Sequence, residues 1–564
     1  MNKGTVELLE KHFDIAFAAP DGIKKMRELI LTLAMQGKLV EQDPQDQPAS
    51  ELLKEIEAEK RRLVKEGKIK TPKPLPEIKP EEVTYQLPDG WEWVRLGEIG
   101  FWKSGTTPSR TNSAYYGGTI PWVKSGEVKQ GRISSTEEMI TEKALSECSL
   151  NINPVGAVLI AMYGANIGEV GILEIEATTN QAVCACTTYS LIDKTFLLNL
   201  LISIKPNFVG QGAGAAQPNI SREKIINTII PLPPLAEQQR IVARIDQLMA
   251  RCDELENLRA ERVQKRLAVH TAALNRLLVA QERDSFADAW QFITRHFGQL
   301  YSVKENVAEL RKTILQLAVM GKLVPQDPND PPASALLKEI ETEKRRLVKE
   351  GKIKKANPLQ EIKAEEMPYQ LPDGWEWCYL QDVFALVTDG DHQAPPKSEA
   401  GIPFLVIGNL NKGSVSMDRC RFVPDTYYDS LDWGRKPTNS DLLYTVTGSY
   451  GIPIRVDADQ AFCVQRHVAI LKSSKSSPVD YIARLLSSKV AFQYATSIAT
   501  GIAQKTVPLT GLRKMPIVLP PLPEQQRIVA KIDHLMALCD QLEQQIDAAT
   551  TKQSALLNAV MAQL

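Results

Sequence analysis

The chain repeats itself. The seventeen residues "KEIEAEKRRLVKEGKIK" at 54–70 return at 338–354 with a single change, Ala58 to Thr342. The match starts near "LLEKHF" (8–13) and "FITRHF" (292–297) and holds an offset of 284 through "MQGKLVEQDPQDQPASELL" and "VMGKLVPQDPNDPPASALL" to "YQLPDGWEW" at 85–93 and 369–377. It then fades for about 140 residues and resumes at an offset of 287, as "PPLAEQQRIVARIDQLMARCDELE" (233–256) and "PPLPEQQRIVAKIDHLMALCDQLE" (520–543). Two nearly identical frames thus enclose two unlike inserts. With two copies and so long a period this is no solenoid. Any fold must build one frame twice, and the pattern of divergence implies that the frames meet equivalent surfaces while the inserts meet different ones.

At 564 residues the chain exceeds what one core supports, so several domains are expected. A content of 43% hydrophobic and 24% charged residues is that of a globular protein. No apolar run approaches the roughly 18 residues that span a bilayer, and Met1 to Pro20 lacks a signal-peptide pattern, so a cytoplasmic location is expected. The net charge of -1 argues against coating nucleic acid by charge alone but leaves room for a selective reader. The eight cysteines form no CxxC pair, which points to neither a zinc site nor a disulfide framework. Cys184 and Cys186 alternate in "QAVCAC" and share a strand face, a pattern that suits core packing at least as well as metal binding.

The frames read as helices. Ile241, Ile245, Leu248, Cys252 and Leu255 form a heptad seam, repeated at Ile528, Ile532, Leu535, Cys539 and Leu542. Prolines at 233, 234, 520 and 521 fix where these helices begin. Upstream, "MRELILTLAMQGKLV" and "LRKTILQLAVMGKLV" are amphipathic, with Gly37 and Gly321 placed to end them. Chain order suggests that the helix after the first insert pairs with the second of these, so that the C-terminal helix closes onto the N-terminal arm as a pseudo-twofold ring. The charged repeat begins at an expected N-cap, Ser50, and buries Leu52, Leu53, Ile56 and Leu63. A proline-rich connector leads to Trp91 and Trp93, expected to anchor the insert on its frame.

Both inserts mix short strands, polar turns and a helical stretch, at 194–204 and 480–498. Four correspondences survive between them: "IPWVKSGEVKQG" with "IPFLVIGNLNKG", "VLIAMYGANIG" with "LLYTVTGSYG", "TTNQAVCA" with "FCVQRHVAI", and "GAGAAQPNISREKI" with "ATGIAQKTVPLTGL". Their polar residues can donate and accept at base edges, although any loop carries such residues.

"LPDGWEW", "IPLPPLAEQQRIVARID" with "VLPPLPEQQRIVAKID", and the "GKLV" helix ends resemble the DNA specificity (S) subunit of type I restriction-modification enzymes, across nearly the whole chain. The resemblance implies an α+β fold with two mixed α/β target recognition domains separated by long antiparallel coiled-coil helices in a circular, pseudo-twofold arrangement. The domains expected are 1–92, a helical arm and linker; 93–232, recognition domain one; 233–376, a central helical spacer and linker; 377–519, recognition domain two; and 520–564, the C-terminal helix. Each recognition domain would read half of a split, asymmetric site in double-stranded DNA. Two adenine-N6 methyltransferase (M) subunits would dock on the frames, and restriction (R) subunits would join them. By the same resemblance S-adenosylmethionine belongs to M, and ATP and Mg to R; none is expected on this chain.

The residues agree with a non-catalytic role. Each GK is followed by Leu or Ile, so there is no GxxxxGK[ST] loop, and no DPPY or NPPF run is present to hold a flipped adenine. Candidate DNA contacts are Lys124, Ser125, Tyr163, Asn180, Gln181, Gln217 and Asn219 in the first insert. In the second they are Asn409, Asn411, Thr447, Tyr450, Gln465, Arg466, Gln504 and Lys505. Gln239, Arg240, Gln526 and Arg527 are candidates for partner contacts. Two other classes stay open to the sequence: an interaction scaffold or antirestriction decoy that reads no DNA, and an enzyme with an unfamiliar site.

Overall fold

A computed structural model describes residues 14, 17–83, 85–212, 219–355, 359–363, 367, 369–410, 412–502 and 504–562. The candidates Gln217 and Asn411 lie outside them. The chain divides into two units, residues 1–262 with 550–564, and residues 263–549.

In the first unit, α1 (Gly22–Met35) ends at Gly37, whose φ of +66° is the left-handed conformation that glycine adopts without strain. The charged repeat is α2 (Ala49–Lys65), with Leu52 and Ile56 buried and Leu53 and Leu63 half-buried. It starts two residues earlier than expected, with Pro48 as the N-cap residue. Ala49 N donates to Gly90 O at 2.8 Å, so the PDGW turn satisfies the helix start and Ser50 falls inside the first turn without capping it. After the turn, β1 (Glu92–Arg95) pairs antiparallel with β10 (Ile229–Leu232). This two-stranded stalk brings both ends of the insert together immediately before α3 (Leu235–Val279), a helix of 45 residues.

The first insert holds a five-stranded sheet in the order β2 (Gly100–Ser104), β9 (Val183–Thr188), β6 (Val158–Ala161), β7 (Val170–Leu173), β4 (Gly131–Ile133). Beside it is a three-stranded sheet in the order β5 (Met139–Ile140), β3 (Tyr116–Val123), β8 (Thr178–Thr179), with β3 and β8 parallel. The period of two along β9 divides its side chains between two cores. Cys184 and Cys186 pack with Ile160, Ile172 and the helix residues Phe196 and Leu200, while Val183 and Ala185 join Leu159 and Ala161 on the other face. Both thiols are therefore core residues.

The second unit follows the same plan with α4 (Lys304–Val319), α5 (Ala333–Lys349), a stalk of β11 (Glu376–Tyr379) and β19 (Pro516–Leu519), and α6 (Leu522–Ala562) of 41 residues. Its insert has a four-stranded sheet in the order β12 (Leu386–Asp389), β18 (Val468–Lys472), β15 (Leu442–Thr445), β16 (Pro453–Arg455). The smaller sheet runs β14 (Arg421–Val423), β13 (Ile402–Leu405), β17 (Cys463–Val464), and again the pair β13 and β17 is parallel. The helix expected over 480–498 is two helices, Val479–Leu486 and Lys489–Ile498, because the Ser488 hydroxyl caps the second by accepting from Ala491 N.

Helix pairing differs from the order the chain suggested. Each GKL helix packs against the start of the long helix behind its own insert. Arg27 of α1 pairs with Asp253 and Glu256 of α3 at 2.6 and 2.7 Å, and Arg311 of α4 pairs with Asp540 of α6 at 2.6 Å. The end of each long helix also makes the contact that chain order suggested. Leu557 of α6 is buried with Phe17, Ala19 and Leu29, and Ala273, Leu274 and Leu277 of α3 join the core of α4. The α3 seam is buried at Ile241, Ile245 and Cys252, whereas Leu255 is exposed. No helix among the described residues is long and apolar enough to cross a membrane.

Candidate nucleic-acid interface

The joint between insert and frame is the same in both units. Trp91 Nε1 donates to Glu237 Oε2 at 2.9 Å and Gln42 Nε2 to Oε1 at 3.0 Å. Their twins are Trp375 to Glu524 at 2.9 Å and Gln326 to Glu524 at 3.1 Å. Gln238 and Gln525 are buried and donate to Pro233 O and Pro520 O, just before each long helix. Of the partner candidates, Arg240 and Arg527 are tied internally, to Asp46 at 2.6 Å and Asp330 at 2.7 Å. Gln239 and Gln526 face solvent.

Each insert gathers its loops along one edge, and the register of the parallel strands explains how. β3 runs beside β8, Trp122 opposite Thr178 and Val123 opposite Thr179, so the segments starting at Lys124 and Asn180 emerge side by side. Asn180 N donates to Val123 O, Met162 N donates to Ala182 O, and Tyr163 bridges Asn219. Lys124, Ser125, Tyr163, Asn180, Gln181 and Asn219 therefore share one edge. In the second insert Phe404 lies opposite Cys463 and Leu405 opposite Val464; Gln465 N donates to Leu405 O, Val446 N to His467 O, and Thr447 bridges Thr506. The equivalence is position by position: Asn180 with Gln465, Tyr163 with Thr447, Asn219 with Thr506.

Two candidates serve the shape of this edge instead of its surface. Asn409 is 7% exposed; its Oδ1 accepts from Val406 N and its Nδ2 donates to Asp418 O. The first insert does the same with Glu127, which accepts from Lys124 N, Thr136 Oγ1 and Glu137 N. Thr447 is 4% exposed and its hydroxyl accepts from Thr506 Oγ1. Tyr450 is half-buried, donates to Thr496 Oγ1 and stacks on the exposed Phe492 at 5.7 Å. Arg466, Gln504 and Lys505 are exposed, and Gln465 is half-buried.

Two cations of the first insert are matched by acids. Lys124 Nζ lies 3.1 Å from Glu137 and 3.6 Å from Glu138, and the bond to Glu137 holds the ammonium above its ordinary range. Arg110 pairs with Glu138 and lies over the rings of Tyr116 and Trp122, 4.5 and 5.1 Å from their centroids. Burial and the neighbouring Arg466 both push the His467 imidazole below its usual range.

Sequence reasoning missed the loops after β2 and β12. They reach the edge through Gly105 and Gly390, where a Cβ would lie 2.2 Å from Thr179 O and 2.0 Å from Val464 O respectively. Only glycine allows this crossing. Thr106 and Thr107 thereby sit beside Asn180 and Gln181, as Asp391 does beside Gln465. The available signal was a glycine 12 residues past Trp93 and another 13 past Trp377, in segments otherwise unlike.

The sequence matches the family described as type I restriction modification DNA specificity domain twice, over residues 88–265 and 372–551. The chain belongs to the type I restriction-modification DNA specificity family. Each specificity-domain match takes in one stalk, one insert and the start of the long helix behind it. Relatives of this family extend along the whole chain. The Escherichia coli type I restriction enzyme EcoAI specificity subunit is 34% identical over 96% of this chain and 93% of its own length, and the EcoEI specificity subunit of the same species is 33% identical over the same shares. Among solved structures, the HsdS subunit from Thermoanaerobacter tengcongensis is 20% identical, with 85% of this chain and 98% of that one covered, at a TM-score of 0.41.

Proposed function

We propose that this chain is the sequence-reading, non-catalytic subunit of a type I restriction-modification complex in the cytoplasm, with 93–232 and 377–519 as its two readers. Each reader lays its edge against one half of a split DNA site, while α3 and α6 set the unread gap. The duplicated frames each dock a methyltransferase subunit. Those subunits hold S-adenosylmethionine, and restriction subunits that use ATP and Mg complete the assembly. The observation that carries this reading is that two inserts of unlike sequence present the same edge, built at equivalent positions, from identical joints.

The test is to map N6-methyladenine across the DNA of cells carrying this chain with its methyltransferase. One bipartite motif with a constant gap is expected. An interaction scaffold or decoy would leave no motif that changes when the inserts change.

A further inference from the structure

The inserts differ almost everywhere, yet both carry Gly-x-Ala-Gln before their last strand: Gly214-Ala215-Ala216-Gln217 and Gly501-Ile502-Ala503-Gln504. Other shared insert residues have structural employment. Gly105 and Gly390 admit a crossing chain, and Gly164 and Gly448 hold φ of +66° and +69°. Gly501, at φ +104°, belongs with these. Gln504 makes no such contribution among the described residues.

In the second insert, Thr500 N donates to Thr506 O and Thr506 N to Thr500 O, at 2.9 and 2.8 Å, which ties the two ends of this loop together. Gly448 N donates to Lys505 O at 3.0 Å, fastening the loop to the candidate edge. Ile502, at 107% exposure, stands wholly in solvent. Gln504 is exposed beside Gly448, and its side-chain amide makes no hydrogen bond to any other described residue. The shared glutamines of the frames, Gln238 and Gln525, are by contrast buried and bonded.

Gln504 is an exposed amide with no hydrogen-bond partner among the described residues, and the sequence of the other, otherwise diverged insert keeps a glutamine at the matching place; such a residue is kept for a ligand. Because the two inserts face different base sequences, that ligand is the part of a duplex that is the same in both halves. Base edges carry sequence, whereas the sugar-phosphate backbone does not. We propose that Gln504 donates from its side-chain amide to a backbone phosphate oxygen and positions the second reader without reading a base. Lys505 adds a cation to this contact in the second insert alone, since Pro218 stands in the matching place of the first. This assignment rests on the chain being a DNA reader.

The experiment uses the full chain with its methyltransferase, as wild type, Gln504→Ala and Arg466→Ala. Binding is measured to the cognate duplex and to duplexes in which each base pair of each half is changed in turn, and methylated motifs are mapped in parallel. Gln504→Ala is expected to weaken binding about tenfold for every duplex by the same factor, with the motif unchanged. Arg466→Ala, at an exposed candidate base contact, serves as the comparison, with relaxation at one position expected. Relaxation of a single base position by Gln504→Ala, or unchanged affinity, overturns the assignment. A wild-type complex that shows no bipartite motif removes the underlying reading instead, so the two failures are told apart.

Discussion

Glu237 and Glu524 stand buried in the first turn of each long helix, each accepting from an indole and from a glutamine amide. Burial pushes both carboxyls above the ordinary 4.5, and these hydrogen bonds offset part of the rise. A carboxyl whose folded pKa is raised contributes stability that is complete below its unfolded pKa and is lost as pH climbs through the folded value. The double variant Glu237→Gln, Glu524→Gln stays neutral throughout. Its melting temperature should therefore gain on that of the wild type between pH 4.5 and neutrality; a constant difference in calorimetry would refute this account. A second residue-scale expectation concerns Lys472 and Asp441, fully buried and 2.6 Å apart. Asp441 also accepts from Thr438 and Ser473. Lys472→Met strands a buried carboxylate and should cost about 3–5 kcal/mol, read as denaturant unfolding of the second insert.

At the scale of elements, the ruler of the proposed function rests on the long helices α3 and α6. Four residues added to a helix move its end by about 6 Å, against roughly 3.4 Å per base pair along one strand. Inserting one turn into both α3 and α6, near residues 262 and 549 where the chain passes from unit to unit, should widen the unread gap of the methylated motif. An unchanged gap would discard the ruler. Much of this level was legible in the sequence, because Pro233, Pro234, Pro520 and Pro521 and the apolar seams act locally on the chain. Which helices would pair was legible only in part, since the end of α3 does pack on α4 and the end of α6 on the N-terminal arm, as chain order suggested. Chain order favoured α3 with α4, but Arg27 and Arg311 tie each GKL helix to the acidic side chains of the long helix in its own frame, a tertiary contact that periodicity does not encode. The edge was half legible for a related reason. Its residues come from strand ends that only the parallel registers align, and neither the burial of Asn409 and Thr447 nor the glycine crossings at 105 and 390 leaves a local pattern.

For the whole molecule, the equivalence of the two joints means that either reader should work in either frame. A chain carrying residues 93–232 in place of 377–519 should fold and direct methylation at a site whose two halves are the same word. Mapping of N6-methyladenine reads this directly, and a motif that keeps its second, unlike half would contradict it. The stalk makes such an exchange simple, because β1 with β10, and β11 with β19, let an insert enter and leave its frame at one point. A lineage holding n interchangeable readers and one unchanging set of partners would thus command on the order of n squared addresses, so its repertoire would grow by shuffling cassettes faster than by altering any single contact.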